Sequence, residues 1–168
     1  CGRSTKQIES SLIRNEIDVN KIKAILITHE HTDHIAGLRV FLKKHNVAVY
    51  SSEGTINFLK SKGVMGEKNF SFILNSGKEL DLKFASVIPF ETSHDCAQGM
   101  GFVVNCSDGI SFALCTDLGY ISETIKNSIL GCNAIMIESN HDVMMLQNGP
   151  YPYYLKRRIL SDIGHLSN

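Results

Sequence analysis

Three of the chain's seven histidines fall within six positions, in Thr28-His29-Glu30-His31-Thr32-Asp33-His34. A chain of this length and composition would show the spacing H-x-H-x-D-H by chance about 6 times in 10,000, so the run asks for a mechanism. Neutral imidazole nitrogens and a carboxylate oxygen are good donors for zinc or manganese, and iron also accepts them. A solvated turn has no need of four such donors together. The metalloprotease helix pattern HExxH does not apply, because the residue four after His29 is Asp33.

Other residues that could do chemistry are scattered and stay ambiguous by type. His94 reads as a loop histidine or a ligand. Asp117 ends an apolar run and reads as a ligand or as a cap for the helix that follows. His141 reads equally as a surface histidine starting a helix or as a catalytic group. His165, after Gly164, could bind a phosphate oxygen alongside backbone N–H groups, ligate a metal, or sit in an ordinary cap. His45 complements a helix dipole. Lys156-Arg157-Arg158 is a solvated helix face or a nucleic-acid contact. Cys96 follows His94 by two residues, but nothing places the pair for nucleophilic catalysis.

The elements that must position these groups follow from periodicity. The β-branched run Ile22 to Thr28 predicts a buried strand, so His29 and His31 leave its end on one side if extended geometry persists. Ile35, Leu38, Phe41 and Leu42 predict a helix over 34–45. Ser4 and Gln7 form a capping box ahead of a first helix. A strand over 47–50 and a helix over 53–62 come next, and then Phe70, Phe72 and Leu74 and Leu80, Leu82 and Phe84 alternate with period two. Met100 to Cys106 and Ile110 to Thr116 flank Ser107-Asp108-Gly109, a hairpin pattern. A helix over 122–130, a strand over 133–138, an irregular stretch with Gly149, Pro150 and Pro152, and a helix over 154–162 complete the chain. This alternation, without repeat or linker, predicts one mixed α/β domain over 1–168.

Composition sets the bounds. With 43% hydrophobic and 20% charged residues the chain can bury a core, which excludes disordered and fibrous classes. Seventeen basic residues balance seventeen acidic ones, so no global basic field advertises nucleic acid. No apolar run approaches a membrane span. Five cysteines, none paired as CxxC, and no visible secretion signal predict a cytoplasmic protein. The chain opens Cys1-Gly2-Arg3 without an initiator Met and stops at Gly164-His165-Leu166-Ser167-Asn168, which looks like a helix start. It reads as an internal portion of a longer protein.

The histidine run resembles the metallo-β-lactamase superfamily, whose signature is H-x-H-x-D-H at a strand–helix junction. Pro89-Phe90-Glu91-Thr92-Ser93-His94-Asp95 resembles the family's third motif and Thr116-Asp117-Leu118-Gly119-Tyr120 its fourth. With Ile137 to Asp142 and Gly164 to Asn168, the chain is most similar to the bacterial WalJ (YycJ) branch, regarded as metal-dependent hydrolases with 5′-exonuclease activity. The resemblance implies an αββα four-layer sandwich, incomplete here at both ends, with the last second-site histidine beyond Asn168. It implies two divalent ions: His29, His31 and His94 on the first, Asp33 and His34 on the second, and Asp117 bridging. Asp33 would also orient the attacking water. The implied substrate is a nucleic acid end, most simply a 5′ end of DNA. Hydrolysis of a thioester, lactone or other carboxyl ester is the alternative, and a non-hydrolytic metal-binding or redox module a third. The superfamily's diiron redox branch usually has Glu where this chain has His31.

Overall fold

A computed structural model describes residues 1–168, which gather into two compact units: Cys1–Leu74 with Cys96–Gln98, and Asn75–Asp95 with Gly99–Asn168. Each holds one sheet with helices, the mixed α/β class expected from the alternation of periods.

In the first unit the order is α1 (Thr5–Arg14), a 3₁₀ turn (Val19–Lys21), β1 (Ala24–Leu26), α2 (Thr32–Ile35), α3 (Leu38–Lys44), β2 (Ala48–Ser51), α4 (Glu53–Ser61) and β3 (Ser71–Ile73). The strands form a parallel sheet in that order, with Ile25 opposite Val49 and Tyr50 opposite Phe72. Parallel strands need crossover connections, and the helices supply them. Their apolar sides bury Leu38, Phe41, Leu42, Ile56 and Leu59 with Ile25, Ile27 and Val49. The capping box at Ser4 and Gln7 forms as its spacing predicts.

One expected helix is two. The apolar period runs through 34–45, but the helix is interrupted between Ile35 and Leu38. Here the N-terminal segment crosses: Gly37 donates to the Cys1 carbonyl at 2.9 Å, and a Cβ on Gly37 would lie 2.0 Å from the Arg3 oxygen. Close backbone approach, invisible to periodicity, decides the break. His45 caps α3, and its Nε2 meets Glu9 Oε1 at 2.9 Å.

The second unit follows with β4 (Leu80–Asp81), β5 (Ala85–Glu91), β6 (Met100–Cys106), β7 (Ser111–Cys115), α5 (Glu123–Ile129), β8 (Ala134–Ile137), α6 (Val143–Asn148) and α7 (Tyr153–Ile159). Its sheet runs β4-β5-β6-β7-β8, antiparallel until the last pair, which is parallel. The hairpin turn falls at Ser107–Gly109, with Gly109 at φ 87°. Helix α6 was not legible as a periodic stripe. It starts where the Asp142 carboxylate accepts the Met145 N–H at 2.7 Å.

The core of this unit gathers Phe90, Val103, Ala113, Cys115, Leu118 and Ile125. Burial pushes the Cys115 thiol up to about 11, with Cys132 adding to the shift. A thiol whose folded value lies above its ordinary 9.0 contributes stability that is fully present below about pH 9 and lost as pH rises through 11. Thermal melts from pH 8 to 11 should therefore show a falling midpoint, and Cys115→Ala should flatten the fall. At pH 8 the exposed Cys106 should react with a thiol reagent at once and Cys115 only on unfolding. Prompt labelling of both would contradict this packing.

Candidate metal centre

Each unit brings ligand-type side chains together. In the first, the chain leaves β1 with Ile27 still hydrogen-bonded to Tyr50 and passes through the buried Thr28, His29 and Glu30. His31, in extended conformation, then caps α2, which turns Asp33 and His34 back. The His29 ring lies 4.6 Å from His31 and 4.0 Å from His34, centroid to centroid. The Thr28 hydroxyl is 3.2 Å from Nδ1 of both His29 and His34. One side chain thus engages the inner nitrogen of two rings, a device that orients ring faces and tautomers in metal sites. Asp33 stands at the margin, its carboxylate 81% exposed and 3.6 Å from His34 Nε2.

Glu30, the residue between the first two histidines, was not singled out by its type. It is buried, accepting the Ala97 N–H at 2.6 Å and the Thr55 hydroxyl at 3.3 Å. Held between two ligand-type neighbours, it fixes the backbone that carries them.

In the second unit, His94 follows β5, Asp117 follows β7, and Glu138 follows β8. Ligand-type oxygens and nitrogens of His94, Asp117 and His165 lie within 4.8 Å of one another. Their orientation can be read from their partners. His94 Nδ1 is 3.0 Å from the Gly164 carbonyl, which can only accept, so Nδ1 carries a proton, while Nε2 lies 3.4 Å from Asp95 Oδ1. His165 Nδ1 is 2.5 Å from Glu138 Oε1, which likewise places a proton on Nδ1. With the Asp117 carboxylate, whose Oδ1 lies 3.8 Å from His165 Nδ1, the two rings gather donors of the types a divalent ion takes.

Glu138 is the residue that sequence reasoning passed over. Its second oxygen accepts the Leu118 and Leu166 N–H groups, at 3.0 and 2.9 Å, so one part-buried carboxylate pins the residue after Asp117, the residue after His165, and the His165 ring. The available signal was its place: β7 and β8 are parallel neighbours in register, and each ends on an acid within two residues. Asp117 itself sits at φ 58°, in the left-handed region that costs a non-glycine residue energy and recurs at functional sites. Gly119 permits the turn to close, since a Cβ there would lie 1.9 Å from the Asp162 oxygen.

The alternatives left open by residue type now separate. Ser122, not Asp117, caps α5. At His165 the N–H groups of Gly164, His165, Leu166 and Asn168 all bond within the fold. His141 does not join the donor set. Both of its ring nitrogens are buried without a hydrogen-bond partner, and its carbonyl accepts the Asn168 N–H.

The family model described as "Beta-lactamase superfamily domain" matches residues 5–167. The chain belongs to the β-lactamase superfamily. It is 40% identical over its whole length to "Exodeoxyribonuclease YycJ" of Bacillus anthracis, and 38% identical to "Exodeoxyribonuclease WalJ" of Streptococcus pneumoniae. It spans 63% of the length of each of these relatives. Among solved structures, Zn²⁺-bound PqqB from Methylobacterium extorquens superposes with a TM-score of 0.69 at 19% identity, over 87% of this chain and 54% of that one. The metallo-β-lactamase fold protein YhfI from Bacillus subtilis superposes with a TM-score of 0.64 at 14% identity, over 79% of this chain and 56% of that one, a likeness of fold. No helix is long and apolar enough to cross a membrane.

Proposed function

We propose that this superfamily member is a metal-dependent phosphodiesterase that acts on a 5′ end of DNA. The observation that carries the reading is the oriented donor set of His94, Asp117 and His165, in a chain 40% identical throughout to a protein named as an exodeoxyribonuclease. His29, His31 and His34 supply the imidazoles of the signature, and two divalent ions, zinc or manganese, are the cofactors this reading requires. Such ions make water a nucleophile near neutral pH and offset charge developing at phosphorus.

The chain's own residues do the rest. Glu138 holds the proton of His165 on Nδ1, and the Gly164 carbonyl holds that of His94, so neither ring can turn its N–H toward a cation. Asp33, exposed beside His34, orients the attacking water. Oxygen- and nitrogen-only ligation suits anionic phosphate chemistry better than a thiolate-rich site would. Five free thiols fit a reducing compartment such as the cytoplasm.

The test offers the full-length protein, with manganese or zinc, DNA strands labelled at either end beside a glutathione thioester and a lactone. Release of the 5′ label first is the expected result. Turnover of thioester or lactone with the DNA intact would replace this reading with carboxyl-ester hydrolysis.

A further inference from the structure

The segment from Val143 to Ser161 contains no carboxylate and three consecutive cations, Lys156, Arg157 and Arg158, in a chain whose formal charge is zero. It also exposes tyrosines to an unusual degree. Tyr153 is 76% exposed and Tyr154 is 73% exposed, and Tyr151 just before them is 53% exposed. On helix α7 these residues pair at a spacing of four, Tyr153 with Arg157 and Tyr154 with Arg158, so each aromatic ring shares a stretch of helix surface with a guanidinium. The first pair is in contact, with the Arg157 guanidinium 6.0 Å from the Tyr153 ring centroid.

The second pair leads to the ligand set. Arg158 Nε donates to Asp95 Oδ2, and Asp95 Oδ1 lies 3.4 Å from His94 Nε2. Arg158 therefore stands one carboxylate away from a metal-ligand histidine. Its side chain is 53% exposed, and it meets Asp95 through Nε. A planar fork of N–H donors is suited to phosphate oxygens.

Exposed aromatic rings interleaved with arginines form a surface that single strands recognise, because every unpaired base has a face to stack and every linkage an anion to pair. A purely apolar partner would leave Lys156 and Arg157 without counter-charge, and a paired duplex would leave the rings without bases to stack on. We infer that the Tyr153–Arg158 face of α7 captures single-stranded nucleic acid, the tyrosines stacking on bases and Arg158 holding the phosphate nearest His94. This deepens the phosphodiesterase reading and rests on it for the identity of the ligand.

The experiment measures binding apart from cleavage. The full chain, without added divalent ions, is titrated against a fluorescein-labelled single-stranded DNA and a blunt duplex, with anisotropy followed across salt concentrations. The double variant Tyr153→Ser/Tyr154→Ser should weaken single-strand binding about tenfold or more, leave its salt dependence unchanged, and leave duplex binding unchanged. Arg158→Gln should lower the slope of log affinity against log salt by about 0.7, and Arg158→Lys, which keeps the charge and can still pair with Asp95, should retain it. Equal thermal midpoints across the variants confirm that each is folded. Unchanged single-strand affinity in the tyrosine variant, or equal losses on strand and duplex, would overturn the inference. Strands bound in this pattern but never cleaved would instead remove the hydrolytic reading and leave the surface standing. Cleavage by a chain whose variants bind normally would do the reverse.

Discussion

His31→Ala is expected to lower the metal content of the full-length protein from about two divalent ions to about one or fewer, and to reduce DNA cleavage by more than about 100-fold. The effect should be large because His31 has no replacement nearby. Its ring is 4.6 Å from that of His29, the adjoining residues already have roles, and Asp33 faces solvent. The variant should still fold, since His31 is only partly buried and its backbone, not its side chain, begins α2. Elemental analysis reads the outcome directly and independently of substrate, with circular dichroism as the control. Metal content equal to that of the unsubstituted chain would remove His31 from the ligand set, whatever happened to activity.

The second large effect belongs to Glu138. Glu138→Ala leaves the Leu118 and Leu166 N–H groups and the His165 Nδ1–H without their acceptor in a part-buried place. Each unmet buried donor costs about 1–3 kcal/mol, so a loss of roughly 2–4 kcal/mol in unfolding free energy is expected, part of the cost being relieved by water entering the space. Glu138→Gln is the more informative variant. An amide has one oxygen and one NH₂, and three donors surround this position. Either orientation of the amide sets a donor against a donor. The His165 ring is then free to turn or change tautomer, and metal affinity should fall by about 10- to 100-fold. Competition with a chromogenic chelator measures that fall, and chemical denaturation measures stability. A Gln variant that binds metal as tightly as Glu would show that His165 is not held for ligation by this carboxylate.

How far these groups could be seen in the sequence depends on whether their neighbours are near in the chain. His29, His31, Asp33 and His34 were legible because their grouping is local. A β-branched run sets a two-residue period, and a strand-to-helix change within six positions needs no distant contact to bring the rings together. The hairpin at Ser107–Gly109 and the capping box at Ser4 and Gln7 were legible for the same reason: turn and cap chemistry is fixed within three or four residues. The break between α2 and α3 was not, because it is imposed by the N-terminal segment passing over Gly37, and an apolar period continues across it undisturbed.

The second ligand group divides the same way. From sequence alone, His94 and Asp117 stood out only through their resemblance to family motifs, and His141 and His165 could not be ranked. Tertiary structure brings the Gly164 carbonyl to His94 across 70 positions and His165 to Glu138 across 27. It leaves His141 outside the set, paired by its backbone to Asn168. Residue type and spacing say which atoms can bind a cation. Which nitrogen of each ring is presented, and which carboxylate holds it there, is decided only when the strand ends of β7 and β8 come into register and part-bury Glu138 among three donors. Burial makes that choice binding, since a carboxylate largely removed from water must accept from whatever donors the fold places around it.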